Sequence, residues 1–239
     1  MLAIYKKEIK MFFNTMEAYI AISVFFIINS MVLWYIPSEY NILYNNQASL
    51  LPFFTISPWV LLVLMPAITM KMINYEITQK TSLILFTKPI NIWEVIIGKF
   101  FASITIGFAA IMPSLLFVYT IHQIGSPIGN IDIGELMGSY IGIALLIILY
   151  SSIGLFCSSI FTNHMIALSG TIMIILLLYL GFDFLSVFHN NSILEYLSIQ
   201  HHYESINRGV IDSRDIIYFM SLTASFLYFT IQNTKSTNR

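Results

Sequence analysis

Apolar residues in this chain gather in long blocks, not in the short alternations of strands, and the charges fall between the blocks. Uncharged runs cover residues 18–38, 40–70, 100–131, 136–182 and 216–234, which is 21, 31, 32, 47 and 19 residues. A hydrocarbon core of about 30 Å takes roughly 20 helical residues to cross. The 47-residue run therefore holds two spans. The pattern predicts an all-α polytopic membrane protein with six transmembrane helices, at about 18–36, 53–73, 100–123, 140–161, 165–184 and 216–231.

Residues 1–16 follow a different rule. Leu2, Tyr5, Ile9, Phe12, Phe13 and Met16 recur on one helical face, with Lys6, Lys7, Lys10 and Asn14 on a neighbouring arc. Such a segment can lie as an amphipathic helix in the membrane interface, or it can be the charged flank of the first span; the residues alone leave both open.

Punctuation along the chain refines the spans. Pro58 and Pro66 fall in the second and predict a kinked helix. Gly125–Gly134 reads as an external turn, and Thr162–His164 is so short that spans four and five form a tight hairpin. Gly138 and Gly142, then Gly154 and Ser158, repeat a small-xxx-small spacing that allows close backbone approach on span four. Residues 186–214 carry short apolar groups (Ile193, Leu194, Tyr196, Leu197, Ile199) but are too polar to cross, which suggests short helices at the outer interface.

Charge gives the direction. With the N-terminus inside, the segments 1–17, 71–99, 162–164 and 233–239 hold nine basic residues (Lys6, Lys7, Lys10, Lys71, Lys80, Lys88, Lys99, Lys235, Arg239) against four acids, net +5. The outer segments hold Arg208 and Arg214 against eight acids, net −6. The basic excess is the topological signal, and it places both termini in the cytoplasm.

Composition narrows the class. The chain is 57% hydrophobic and 10% charged, whereas a soluble domain is about 25% charged, so the whole of 1–239 reads as a single membrane domain. No basic patch points to nucleic acid. The lone Cys157 excludes an internal disulfide and a cysteine metal cluster. The first apolar stretch ends Trp34-Tyr35-Ile36-Pro37 without a small-residue cleavage site, and is expected to stay attached as a span.

A search for chemistry returns little. His201 and His202 with Glu204 are the nearest approach to a metal site, but adjacent histidines on a helix point about 100° apart and a competent site needs further ligands, so no metal is expected. Gly98-Lys99-Phe100 lacks the upstream glycine and following Ser or Thr of a phosphate loop. Span interiors carry no ionisable side chain of the kind ion-coupled transporters require; Asp183, at the outer edge of span five, is the sole candidate. The chain is expected to be non-catalytic. What remains is the long inner segment 74–99, whose apolar group Leu83-Ile84-Leu85-Phe86 ends at Pro89. That group either docks in a groove of a soluble partner or packs on the membrane surface.

The segment Glu76-(x)₃-Lys80-Thr81-Ser82-Leu83-Ile84-Leu85-Phe86-Thr87-Lys88-Pro89-Ile90, followed by Trp93-Glu94 and Gly98-Lys99, resembles the coupling loop of ABC-2 type transporter permeases. In that family an acid precedes Gly-Thr, a Leu-rich turn and Pro follow, and Gly-Lys opens span three. Lys80 stands here where Gly is usual and Leu83 where Glu is usual. The likeness extends over nearly the whole chain. The phrases Ser57-Pro58-Trp59, Pro66-Ala67-Ile68-Thr69-Met70, Thr87-Lys88-Pro89-Ile90, Pro127-Ile128-Gly129-Asn130-Ile131-Asp132 and Arg208-Gly209-Val210-Ile211-Asp212 are most similar to the gliding-motility-associated permeases within it.

The resemblance implies a membrane subunit of an ATP-driven exporter in a bacterial inner membrane. It would pair with a second permease subunit amid membrane lipid, and a separate ABC ATP-binding subunit would carry the ATP and Mg that this chain does not hold. Coupling to that subunit would fall to Glu76, Lys80, Thr81, Leu83, Leu85, Phe86, Lys88 and Pro89. The 186–214 segment would act as an outer gate, with Asp183, His201, His202 and Arg208 in its region. A secondary transporter or channel, and a structural anchor of a motility or secretion apparatus, are the alternatives.

Overall fold

The computed structural model describes residues 1–45, 48–75, 91–189 and 192–237. Helix α1 (Leu2–Phe13) leads into α2 (Met16–Ser30), which runs on as a π-helical turn (Met31–Tyr35). Then come α3 (Ile42–Asn45), α4 (Leu51–Thr69), α5 (Ile92–Ile111), a 3₁₀ turn (Met112–Ser114) and α6 (Leu115–Ile124). Helix α7 (Ile133–Ile160) precedes α8 (His164–Leu176), extended by a second π turn (Leu177–Gly181); α9 (Phe182–His189), α10 (Ser192–Glu195), α11 (Ile199–Asn207) and α12 (Ser213–Thr237) complete the order. No strand occurs among the described residues.

Among the described residues, five stretches are long and apolar enough to cross a membrane: Met16–Tyr35, Leu51–Thr69, Ile92–Ile124, Ile133–Ile160 and His164–Ser186. The chain is a multi-pass membrane protein. Helix α12, with 25 residues, has the length but is not one of these five. Asp215 in its first turn and Gln232, Asn233 and Lys235 in its last lower the hydropathy of its two ends.

Helix starts follow local chemistry as well as hydropathy. The Asp132 carboxylate accepts the Gly134 and Glu135 N–H groups at 2.8 and 3.2 Å, so α7 starts at Ile133, ahead of the expected 140. Asn163 Oδ1 accepts the Met165 N–H at 2.9 Å and opens α8 after the tight turn. Helix α5 starts at Ile92, well before the uncharged run begins at 100, because the Lys99 charge is answered inside the protein.

Helix α7 is the central post. Of its apolar window 78% is buried, against 22% for the windows of α2 and of the α8 span, so those two flank the bundle. Helices α4, α5, α8, α11 and α12 all pack on α7. Lipid tails are as apolar as leucine, so close packing rather than water exclusion holds such helices together. Gly107 shows how close: a Cβ there would lie 2.7 Å from Ile147 Cγ2 on α7.

Candidate functional site

The bundle has two differently built ends. At the proximal end, which carries α1 and the last turns of α4, α7 and α12, a lysine is buried. Lys99 is 1% exposed and its Nζ donates to Glu8 Oε1 at 2.8 Å and to the Met72 carbonyl at 2.6 Å. Glu8, 2% exposed, shares the packed face of α1 with Ile4. A charged amine leaves water only when paired and hydrogen-bonded. One side chain of α5 therefore joins α1 to the exit of α4. Gly98 lets the two helices close, since a Cβ there would touch Met1 O and Ile4 at 3.2 and 3.3 Å.

A second knot ties the α4 exit to α7. Ser158 Oγ accepts the Ile73 and Asn74 N–H groups at 3.1 and 3.2 Å and donates to the Met70 carbonyl at 3.0 Å. These use the one donor and both acceptor positions of a hydroxyl. Asn74 Nδ2 adds a 2.6 Å bond to the Phe161 carbonyl, and Asn233 Nδ2 on α12 reaches the Ser159 carbonyl at 2.8 Å. Residues 72–74 at the end of the α4 exit and Lys99 on α5 thus belong to one hydrogen-bonded layer. Beside it a cavity of about 270 Å³ opens between α1 and α4, walled by Phe12, Ala67, Met72 and Tyr75, with the exposed Lys71–Glu17 pair (2.7 Å) at its edge.

At the distal end, α11 lies across α7 and is held by hydroxyls on main-chain carbonyls. Tyr203 OH donates to the Phe54 carbonyl at 2.6 Å. Pro58 has no N–H to offer that carbonyl at the i→i+4 position, so the tyrosine satisfies a group the proline orphaned. Burial pushes the Tyr203 phenol well above its ordinary pKa, and Tyr179 adds to this, so it remains a donor. Ser198 Oγ donates to the Tyr179 carbonyl, in the second π turn, at 2.9 Å, and Ser139 Oγ donates to the Asn207 carbonyl at 3.0 Å. His202 meets Asp215 of α12 at 2.6 Å and the Tyr196 carbonyl at 2.9 Å.

The small residues of α7 serve both ends. Gly138 faces the backbone of Gly209 and Ile206, where a Cβ would approach both to 2.8 Å, and Gly142 faces Tyr203 and Ile206. Gly209 turns the chain at φ 82°, open to glycine. Near the proximal end a Cβ on Gly154 would fall on Thr69 Oγ1. The stripe is thus filled from within this chain.

Of the outer-region residues, Asp183 is half-buried in the first turn of α9, where its carbonyl accepts the Ser186 hydroxyl at 2.7 Å. His201 Nδ1 lies 3.2 Å from Glu195, and the exposed Arg208 caps α11 with Nε on the Glu204 carbonyl at 3.2 Å. No cluster of three metal-ligating side chains occurs among the described residues. Glu76, Lys80, Thr81, Leu83, Leu85, Phe86, Lys88 and Pro89 lie outside the described residues. Glu8, Tyr203 and Asp215 escaped the sequence reading as site residues. Glu8 had left a trace, as a lone acid on a lysine-rich helix.

Residues 2–232 match the family described as ABC-2 family transporter protein. The chain belongs to that family, as a membrane-spanning permease subunit of an ABC transporter. Among individually curated proteins, none matches it.

Proposed function

We propose that this chain is the permease of an ATP-driven exporter whose proximal end faces the cytosol. In that arrangement both termini are cytosolic, α12 is a sixth span, and the segment 76–90 is where a separate ATP-binding subunit docks. ATP and Mg stay on that partner, and a second permease subunit completes the pathway in a bacterial inner membrane. The supporting observation is the proximal layer. A push on 76–90 would reach Met72–Asn74, bonded to the end of α7, on one side and Asn91–Lys99, bonded to α1 through Lys99, on the other, and the Lys99 bond to the Met72 carbonyl joins the two. The distal α9–α11 segment, seated on the other end of α7 and α4, serves as the outer gate. The likeness of its phrases to those of gliding-motility permeases is what supports reading the export as part of motility.

Two measurements test this. Leu85→Asp and Phe86→Asp are expected to abolish co-purification with the cognate ATP-binding subunit and the ATPase activity gained on pairing; unaffected pairing defeats the docking assignment. In a Cys157→Ser background, an impermeant thiol reagent on intact cells is expected to label Asn130→Cys and spare Thr87→Cys. The reverse pattern inverts the orientation.

A further inference from the structure

Between α1 and α4 the cavity of about 270 Å³ combines an apolar interior with charge at its rim. Phe12, Ala67, Ile68 and Met72 line it, as does Glu8, which is 2% exposed and held to Lys99 at 2.8 Å. At the edge Lys71 Nζ lies 2.7 Å from Glu17 Oε1, and both side chains reach solvent. Pockets for small ligands share this plan of apolar walls with a few placed polar groups. The location narrows the ligand. Helix α1 ends at Phe13 and the first spanning stretch begins at Met16, so the cavity sits where the chain enters hydrocarbon. Met11, Met16, Tyr19 and Ile20 on these two helices are exposed, and in a membrane protein such an apolar face borders lipid tails.

We propose that this cavity holds one phosphoethanolamine lipid of the adjoining leaflet. Its headgroup carries a phosphate for Lys71 and a primary ammonium for Glu17, so both rim charges are matched by charge-assisted hydrogen bonds. A purely anionic headgroup would satisfy Lys71 and confront the Glu17 carboxylate. A phosphocholine headgroup has no N–H to donate to Glu17. Entry requires the Lys71–Glu17 pair to part, and an exposed pair of this kind contributes little. Inside the rim the first methylenes of one acyl chain meet Phe12, Ala67, Ile68 and Met72, while the rest of the chain stays in the bilayer. Hydrocarbon there also displaces water beside Glu8. In drier surroundings the attraction between Glu8 and Lys99 strengthens, so the bound lipid fastens α1 to α5. The site works in either orientation of the protein and without a partner subunit.

The test offers the purified chain, in detergent, equal amounts of palmitoyl-oleoyl phosphatidylethanolamine, phosphatidylcholine and phosphatidylglycerol, and reads retained lipid by native mass spectrometry. Phosphatidylethanolamine is expected to be retained about tenfold over phosphatidylcholine, the factor that one charge-assisted hydrogen bond supplies. Glu17→Gln is expected to erase that preference and Lys71→Gln to weaken retention of all three lipids. Both residues are at the exposed rim, so an unchanged lipid-free thermal midpoint verifies that these variants fold. Ala67→Phe fills the cavity from α4 and is expected to exclude the lipid. Added phosphatidylethanolamine should then raise the thermal midpoint of the parent chain and leave that of Ala67→Phe where it was. Equal retention of phosphatidylethanolamine and phosphatidylcholine, a preference for phosphatidylglycerol, or no retained lipid overturns the proposal. So does a preference that survives Glu17→Gln.

Discussion

At the proximal end a lysine and a glutamate, each nearly sealed from solvent, meet at 2.8 Å. At the distal end the principal contacts to α4 and α8 are neutral hydroxyls on carbonyls that a proline and a π turn left available. The difference bears on what each end can do. Separating a buried ion pair strands two charges, so the proximal layer resists being pulled apart. Separating a neutral hydroxyl from a carbonyl costs less than stranding two buried charges. The proposed function, force entering at one end and opening at the other, calls for that asymmetry.

The largest test of the contrast is Lys99→Ala, which leaves the buried Glu8 with only the exposed Lys7 ammonium at 3.8 Å. A loss of about 3–5 kcal/mol is expected, read as a fall in thermal midpoint in detergent. Glu8→Gln combined with Lys99→Met should recover most of it, and no recovery would show that the charge is not the cause.

Next is Tyr203→Phe, which leaves the Phe54 carbonyl unsatisfied at about 1–3 kcal/mol. In a Pro58→Ala background, where the helix can supply its own N–H, the same substitution should cost markedly less. Equal costs in the two backgrounds would remove the proline from the explanation.

Gly138→Ala puts a methyl against the Gly209 backbone and should cost roughly 1–3 kcal/mol. Cleavage in residues 208–212 should quicken with it, while Gly181→Ala, whose Cβ meets only an ordinary 3.5 Å contact, serves as the quiet control.

Smallest is Lys71→Gln. Its pair with Glu17 is 40% and 65% exposed, so the change should be under about 1 kcal/mol and vanish at high salt. A larger effect would extend the rigid layer outward to the surface.

Much of this was legible in advance, for reasons that differ by residue. Blocks of apolar residues gave helices because a chain in lipid must satisfy its own backbone. The α7–α8 turn was visible in three residues. Gly138, Gly142, Gly154 and Ser158 were legible as a packing stripe, but not what filled it. Lys99 was noticed for its place before a span, whereas its partner Glu8 lies 91 positions away and no local pattern links them. Likewise Pro58 announced an orphaned carbonyl, and Tyr203, 149 positions from Phe54, could not be matched to it.

The sequence by itself determined that this is a multi-pass helical membrane protein, because hydropathy and turn residues act within a few helical turns of chain, and its likeness over residues 2–232 gave the ABC-2 family. Only the tertiary structure decided which buried charge is answered by which and which hydroxyl closes which carbonyl. Those pairings depend on distances between helices that meet in space and not along the chain.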